Sequence, residues 1–164
     1  MVEDAGMPAV TRLVTVVDID DRAVSPVSLA GAPSLDGFEP GWAAASQETR
    51  PADPRVMSLS ALFMAVLDDD RRLTVLDDRG WTESGPPDIW RHTSVESITT
   101  QARTVVGPDE PREGHSEEAS ESDHWEYLAG VLDQQGVQIA AGELQRLPHD
   151  VELTERLRNR LSNA

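Results

Sequence analysis

The segment that most clearly indicates possible chemistry is residues 13–20. It is an apolar, β-branched run that ends in two aspartates, Asp18 and Asp20. The other chemically versatile side chains are scattered along the chain. Cysteine is absent, which excludes disulfides, thiolate catalysis and cysteine-ligated zinc. The histidines stand singly, and none has the spacing that puts two metal ligands on one helical face: His92, His115, His124 and His149.

The run Leu-Val-Thr-Val-Val-Asp-Ile-Asp over residues 13–20 resembles the first motif of haloacid-dehalogenase-type phosphatases. The resemblance implies that Asp18 is the nucleophile and Asp20 the acid/base, with a magnesium ion bridging carboxylate and phosphate. In that family the motif usually continues to Thr or Val where this chain has Arg22, and a lysine neutralises the phosphate, whereas this chain contains no lysine. A divergent magnesium-dependent phosphate-handling enzyme is therefore the alternative function. We favour a strand that ends in an acidic turn, and we assign no catalytic residue.

Acidic loops are candidates for calcium or magnesium binding. An EF-hand loop that began at Asp18 would need Gly at its sixth position and Glu at its twelfth. The chain has Ala23 and Leu29 at these positions. We predict no metal site and no cofactor.

Composition limits the partners that the chain can bind. Asp and Glu number 30 against 14 basic residues, which gives a formal net charge of −16 over 164 residues. This field repels nucleic acid and anionic membrane, because binding phosphate needs a cationic surface. The segment around Gly136 has the outline of a helix-turn-helix, a motif that can bind DNA. Its second helix contains a single arginine, Arg146, so the segment does not change the expectation that nucleic acid is not bound. We expect a basic protein partner and neither nucleic acid nor membrane.

The length suits one domain, residues 1–164. The N-terminus lacks the basic and apolar regions of a secretion signal, and no apolar run approaches the ~20 residues of a membrane span. The expected location is the cytoplasm, and the oligomeric state stays open.

The first half of the chain predicts β-structure. Residues 11–17 indicate a strand, and residues 24–29 indicate a weaker one. Residues 31–54 are rich in Pro, Gly, Ala and Ser, which predicts a long loop or an arm. Residues 59–76 predict a β-hairpin that turns at residues 68–71 and ends at residues 77–80. If the apolar run before this turn were a helix, the three aspartates at its C-terminal end would oppose the helix dipole. Aspartate suits a turn instead.

The second half has the pattern of helices. A capping box at Thr93 and Glu96 begins the first helix, which Gly107-Pro108 ends. Residues 108–122 are rich in Asp and Glu and predict a solvated acidic linker. Further helices are predicted over residues 123–135 and 141–147, and a last one extends from Asp150, as N-cap, to Leu161. The fold class is α+β, with an N-terminal strand and the central hairpin forming a small antiparallel sheet that three or four helices cover on one face.

The function we favour is non-enzymatic binding of a basic protein, as an immunity protein, an inhibitor or an adaptor does. Trp81 and Trp90 flank Pro86-Pro87 in a predicted loop, and tryptophan is enriched in the residues that dominate binding energy. A structural component of a larger assembly, with residues 31–54 as its arm, is a further alternative. The acidic members of the predicted partner-binding set are Asp109, Glu110, Glu113, Glu117 and Glu118.

Overall fold

A computed structural model describes residues 6–21 and 53–164. Within them the fold is α+β, as the sequence predicts: a four-stranded sheet packs against α-helices. A short 3₁₀ helix over Ile89–His92 follows the hairpin. The elements are β1 (Val10–Ile19), β2 (Val56–Leu67), β3 (Arg72–Ser84), α1 (Val95–Val105), α2 (Glu117–Gln134), α3 (Ala141–Arg146), β4 (His149–Leu153) and α4 (Glu155–Ser162).

The strands lie in the order β3-β2-β1-β4. The hairpin pair β2–β3 and the pair β1–β2 are antiparallel, whereas β4 runs parallel to β1. The sheet is therefore mixed, and β4 is a strand that the sequence did not predict.

The predicted hairpin is confirmed, with its turn at residues 68–71. Its predicted end at residues 77–80 is wrong, because β3 stays paired with β2 as far as Ser84. Asp70 adopts a left-handed conformation with φ of 64°, which aspartate tolerates better than most residues. The carboxylate of Asp69 accepts a hydrogen bond from the backbone N–H of Arg71 at 3.1 Å. This local bonding is what makes an aspartate-rich segment a good turn.

The helices cover the face of the sheet on which alternate residues of β2 are buried. Met57, Leu59, Ala61 and Phe63 are each 1% exposed, and the residues between them are half-buried. Leu128 and Leu132 of α2 lie against one part of this face, and Ile98 of α1 and Leu157 of α4 lie against the other. The core is thus built by elements far apart in sequence.

The predicted N-cap at Asp150 is wrong, because residues 149–153 form β4. Backbone pairing with Leu13 to Val17 of β1 holds this segment extended. The hydroxyl of Thr15, which is fully buried, lies 2.7 Å from His149 Nε2 and adds a side-chain bond between the two strands. The last helix begins after Thr154, whose hydroxyl accepts a hydrogen bond from Leu157 N.

The other predicted boundaries shift by less. The capping box of α1 consists of Ser94 and Ser97 rather than Thr93 and Glu96. Helix α2 begins at Glu117, so the acidic linker is shorter than residues 108–122. The predicted strand at 24–29 and nearly all of the segment at 31–54 lie outside the described residues.

No helix in residues 6–21 and 53–164 combines the length and the apolar composition needed to cross a membrane.

Candidate functional site

A pocket of about 490 Å³ opens where β3, the acidic segment after α1 and helix α2 meet. A β-bulge shapes its β3 wall: Arg79 and Leu76 pair with Ala61 and Phe63, so two residues of β3 stand opposite Leu62 alone. Such a bulge re-aims side chains locally. It brings Asp78 and Arg79 to the pocket wall.

The segment between α1 and α2 forms the second wall, and an ion pair fastens it to β3. Arg79 donates from Nη1 to Asp109 Oδ1 at 2.6 Å and from Nη2 to Oδ2 at 3.4 Å. The hydrogen bond from Arg79 lowers the pKa of Asp109 and raises that of Arg79 itself. Asp78 Oδ1 lies 3.7 Å from Arg79 Nε. The guanidinium is therefore answered by two carboxylates of the pocket.

Helix α2 supplies the third wall through His124 and Tyr127, one turn apart. Burial and the nearby charge of Arg79 lower the pKa of His124, outweighing Asp109 and a hydrogen bond to the backbone of Val106, which raise it. The net direction favours the neutral form of the imidazole. Its Nε2 is buried and has no hydrogen-bond partner among the described residues.

Two of the predicted partner-binding residues, Asp109 and Glu110, line this pocket. Glu113 lies in the same segment, and Glu117 and Glu118 occupy the first turn of α2. Carboxylates there suit the helix dipole. All five side chains are exposed.

The tryptophans are not placed in one loop as predicted. Trp81 belongs to β3, where its ring packs against both parts of the core. The preceding residue, Gly80, allows β2 to approach closely, because a Cβ there would lie 2.5 Å from Leu59 O. Trp90 belongs to the 3₁₀ helix, and the guanidinium of Arg160 lies 5.3 Å from its ring centroid. Neither tryptophan lines the pocket that Asp109 and Glu110 share.

Asp18 and Asp20 line a second groove of about 500 Å³, which shares Asp78 and Arg79 with the first pocket. Asp18 Oδ1 accepts hydrogen bonds from Ile19 N at 2.8 Å, Thr154 Oγ1 at 2.7 Å and Arg156 Nε at 3.1 Å. Burial raises the pKa of Asp18, but these hydrogen bonds outweigh it and leave the pKa below its usual value. The bonding ties the end of β1 to the start of α4 and favours a structural role.

Across residues 6–21 and 53–164, no three His, Asp or Glu side chains converge as the ligands of a metal ion would.

Sequence reasoning missed Arg79, His124 and Tyr127. Their spacing carries no signal, since β3 and α2 are more than thirty residues apart and only the fold brings them to one pocket. Comparisons with models of known protein families, with curated proteins and with solved structures found no match.

Proposed function

We propose that this protein is a non-enzymatic binder of a basic protein, and that the acidic segment formed by residues 109–118 is its main electrostatic contact. The observation that carries the proposal is the exposure of this segment beside a formed pocket. Complementary charge steers diffusing partners and speeds association.

Most carboxylates of this segment have no direct side-chain partner. Among the described residues, Glu110, Glu113, Glu117 and Glu118 form no ion pair or hydrogen bond through their side chains, and Asp109 pairs with Arg79. Neighbouring like charges repel one another, and Arg112 within the segment and the helix dipole at Glu117 and Glu118 offset only part of this repulsion. Binding of a basic partner would relieve that repulsion and would therefore be electrostatically favourable.

The test compares two sets of neutralised variants with the same net charge. The first is Glu110→Gln, Glu113→Gln and Glu118→Gln within the segment. The matched control is Glu83→Gln, Glu96→Gln and Asp133→Asn, which are also exposed but lie outside it. Asp109 is left unchanged because it pairs with Arg79.

Proteins retained by the wild type at low salt, and identified by mass spectrometry, supply the partner for stopped-flow kinetics. The association rate should fall roughly tenfold for the first set, less for the control, and with rising salt for the wild type. Dissociation should change little, because desolvated contacts set that rate. Equal slowing by the two sets would mean that the segment is not the main electrostatic contact, and a salt-independent association rate would mean that the charge serves solubility alone. The cytoplasmic location stays a prediction.

A further inference from the structure

His149, the first residue of β4, joins this strand to β1 through its side chain. The imidazole Nε2 lies 2.7 Å from the hydroxyl of Thr15, which is 0% exposed. The ring centroid lies 5.1 Å from that of Phe63 in β2. His149 is itself half-buried. Its surroundings on β1 and β2 are therefore a hydroxyl and an aromatic ring, and neither carries a charge.

The stronger of the two charges that act on this imidazole is positive. Arg103 of α1 donates from Nη2 to the backbone oxygen of His149 at 3.2 Å, which brings its guanidinium close to the ring. Asp150 opposes this charge, and these two are the charged groups that act on the ring among the described residues. Side chains alternate between the faces of a strand, and Asp150 pairs with Arg12 at 3.1 Å. A positive charge on His149 would therefore be poorly compensated.

A proton on His149 would also disturb the bond to Thr15. A neutral imidazole nitrogen can accept from a hydroxyl, whereas both nitrogens of a protonated ring only donate. Among the described residues the Thr15 hydroxyl has no other hydrogen-bond partner. Its hydrogen would lose its acceptor in a buried position, which is unfavourable. Burial and the charge of Arg103 lower the pKa of His149, outweighing Asp150, in agreement with this geometry.

The element that such a proton would affect is held on one side only. β4 has five residues, lies at the edge of the sheet and pairs with β1 alone, whereas β2 pairs with both β1 and β3. Where β4 ends, Thr154 N donates to Val17 O at 3.0 Å, and the Thr154 hydroxyl then caps α4. Segments with fewer neighbours open at a lower free energy than the centre of a sheet.

We propose that the contact between His149 and Thr15 is an acid-sensitive latch: protonation of His149 loosens β4 and α4, while the antiparallel sheet of β1, β2 and β3 stays folded. Loosening frees the backbone groups of residues 13–17 that now pair with β4, and a free strand edge can pair with another chain. The latch is independent of the proposed binding of a basic protein, because it lies outside residues 109–118.

The latch opens as the pH falls from 7 toward 5.5. In the open state the imidazole has its ordinary pKa of about 6.5, whereas the pKa in the closed state is lower. The open state therefore binds the proton more tightly and gains population as the pH falls. For one histidine this gain between pH 7 and pH 5.5 is at most about eightfold. Carboxylates with a pKa near ~4 stay largely ionised over this range.

The test measures amide hydrogen exchange of the full chain by NMR at pH 7 and pH 5.5. Protection factors are compared, because they remove the pH dependence of the chemical exchange step. The two reporter amides bond across the contact, from Leu13 N to Pro148 O and from Thr154 N to Val17 O. Their protection should fall about three- to eightfold at pH 5.5, while that of the β2 amides should change less than about twofold. Equal loss across β2 would mean that the whole fold responds, and the latch would be wrong.

The titration of the imidazole in the same wild-type samples is an independent measurement. Its midpoint should lie below the ordinary value of about 6.5 and coincide with the loss of protection at Thr154. A midpoint at or above about 6.5 would overturn the latch. This measurement decides the matter even where a variant folds poorly.

Variants identify the sensor. His149→Gln keeps a donor and an acceptor beside Thr15 but takes up no proton, so protection at Thr154 should be the same at both pH values. His92→Gln, at an exposed histidine, is the matched control and should retain the wild-type response. Arg103→Gln removes the neighbouring charge and should reduce the response. A full response in His149→Gln would mean that another group is the sensor.

Discussion

The sequence suggests a chemical role for Asp18, but its hydrogen bonds in the structure link two elements of the fold. One carboxylate oxygen accepts hydrogen bonds from a backbone N–H, a threonine hydroxyl and a guanidinium, from Ile19, Thr154 and Arg156. Arg156 also reaches the carboxylate of Asp21. Charge-assisted bonds of this kind are stronger than neutral ones. Asp18 therefore stabilises the junction between β1 and α4.

Asp18→Asn should lower the free energy of unfolding by about 1 kcal/mol at pH 7, because the charge-assisted bonds to Arg156 and Thr154 weaken. The folded-state pKa of Asp18 is lowered, so its contribution is present above the unfolded pKa of about 4 and is lost as pH falls through the folded pKa. The difference between wild type and variant should shrink in acid. Urea unfolding at pH 7 and pH 3 measures it.

Asp21→Asn is the control, since Asp21 pairs with the same arginine but is more exposed. It should cost less than about 0.5 kcal/mol. We also expect no phosphatase turnover with magnesium and a generic phosphate ester. Turnover that Asp18→Asn abolishes would restore the enzyme alternative.

At the scale of elements, β4 is the informative segment. Its five residues pair in parallel with β1, and Leu13 N donates to Pro148 O at 2.8 Å just before the strand begins. The strand completes the sheet edge and positions Thr154 beside Asp18. Helix α4 then starts at the point where this pairing ends.

Thr154→Ala should destabilise the fold by about 1–2 kcal/mol, because α4 loses its N-cap and Asp18 loses a hydrogen bond. Asp150→Ala removes only the exposed pair with Arg12, whose charged atoms lie 3.1 Å apart. Its cost should stay below about 0.5 kcal/mol. Urea unfolding ranks the two, and Thr154→Ser should retain most of the stability. The reverse ranking would mean that Asp150 caps the helix after all.

At the scale of the whole molecule, the net charge of −16 sets the balance of electrostatic energy. The ion pairs among the described residues involve exposed or half-exposed side chains, such as Arg72–Glu152 at 2.8 Å and Arg71–Asp69 at 2.6 Å. Exposed pairs contribute little individually. Salt screens both the repulsion among carboxylates and the attraction within ion pairs. We expect the repulsion to be the larger of the two.

Raising the salt concentration from 20 to 200 mM should increase the melting temperature by about 2–4 °C, equivalent to roughly 1 kcal/mol for a chain of this size. The triple variant Glu110→Gln, Glu113→Gln and Glu118→Gln should show a smaller increase. Calorimetry in the two buffers provides the measurement. A melting temperature that falls with salt would show that the ion pairs dominate.

Local patterns were sufficient for much of the fold. The β-branched residues of β1, the aspartates of the β2–β3 turn and the apolar spacing of α1 each act on neighbours within a few positions. The net charge is a property of composition alone. Charged side chains are expected at the surface, and Asp109 and Glu110 are exposed.

Tertiary contacts decided the rest. The segment His149–Leu153 is a strand because the backbone of β1, over 130 residues earlier, satisfies its hydrogen bonds. Trp81 lies in β3 rather than in a loop, and its ring packs against both parts of the core. The pocket depends on a bulge in one strand and a turn of a distant helix, which bring Arg79 and His124 together. Such sites arise from packing between remote elements, and no local spacing of residues encodes them.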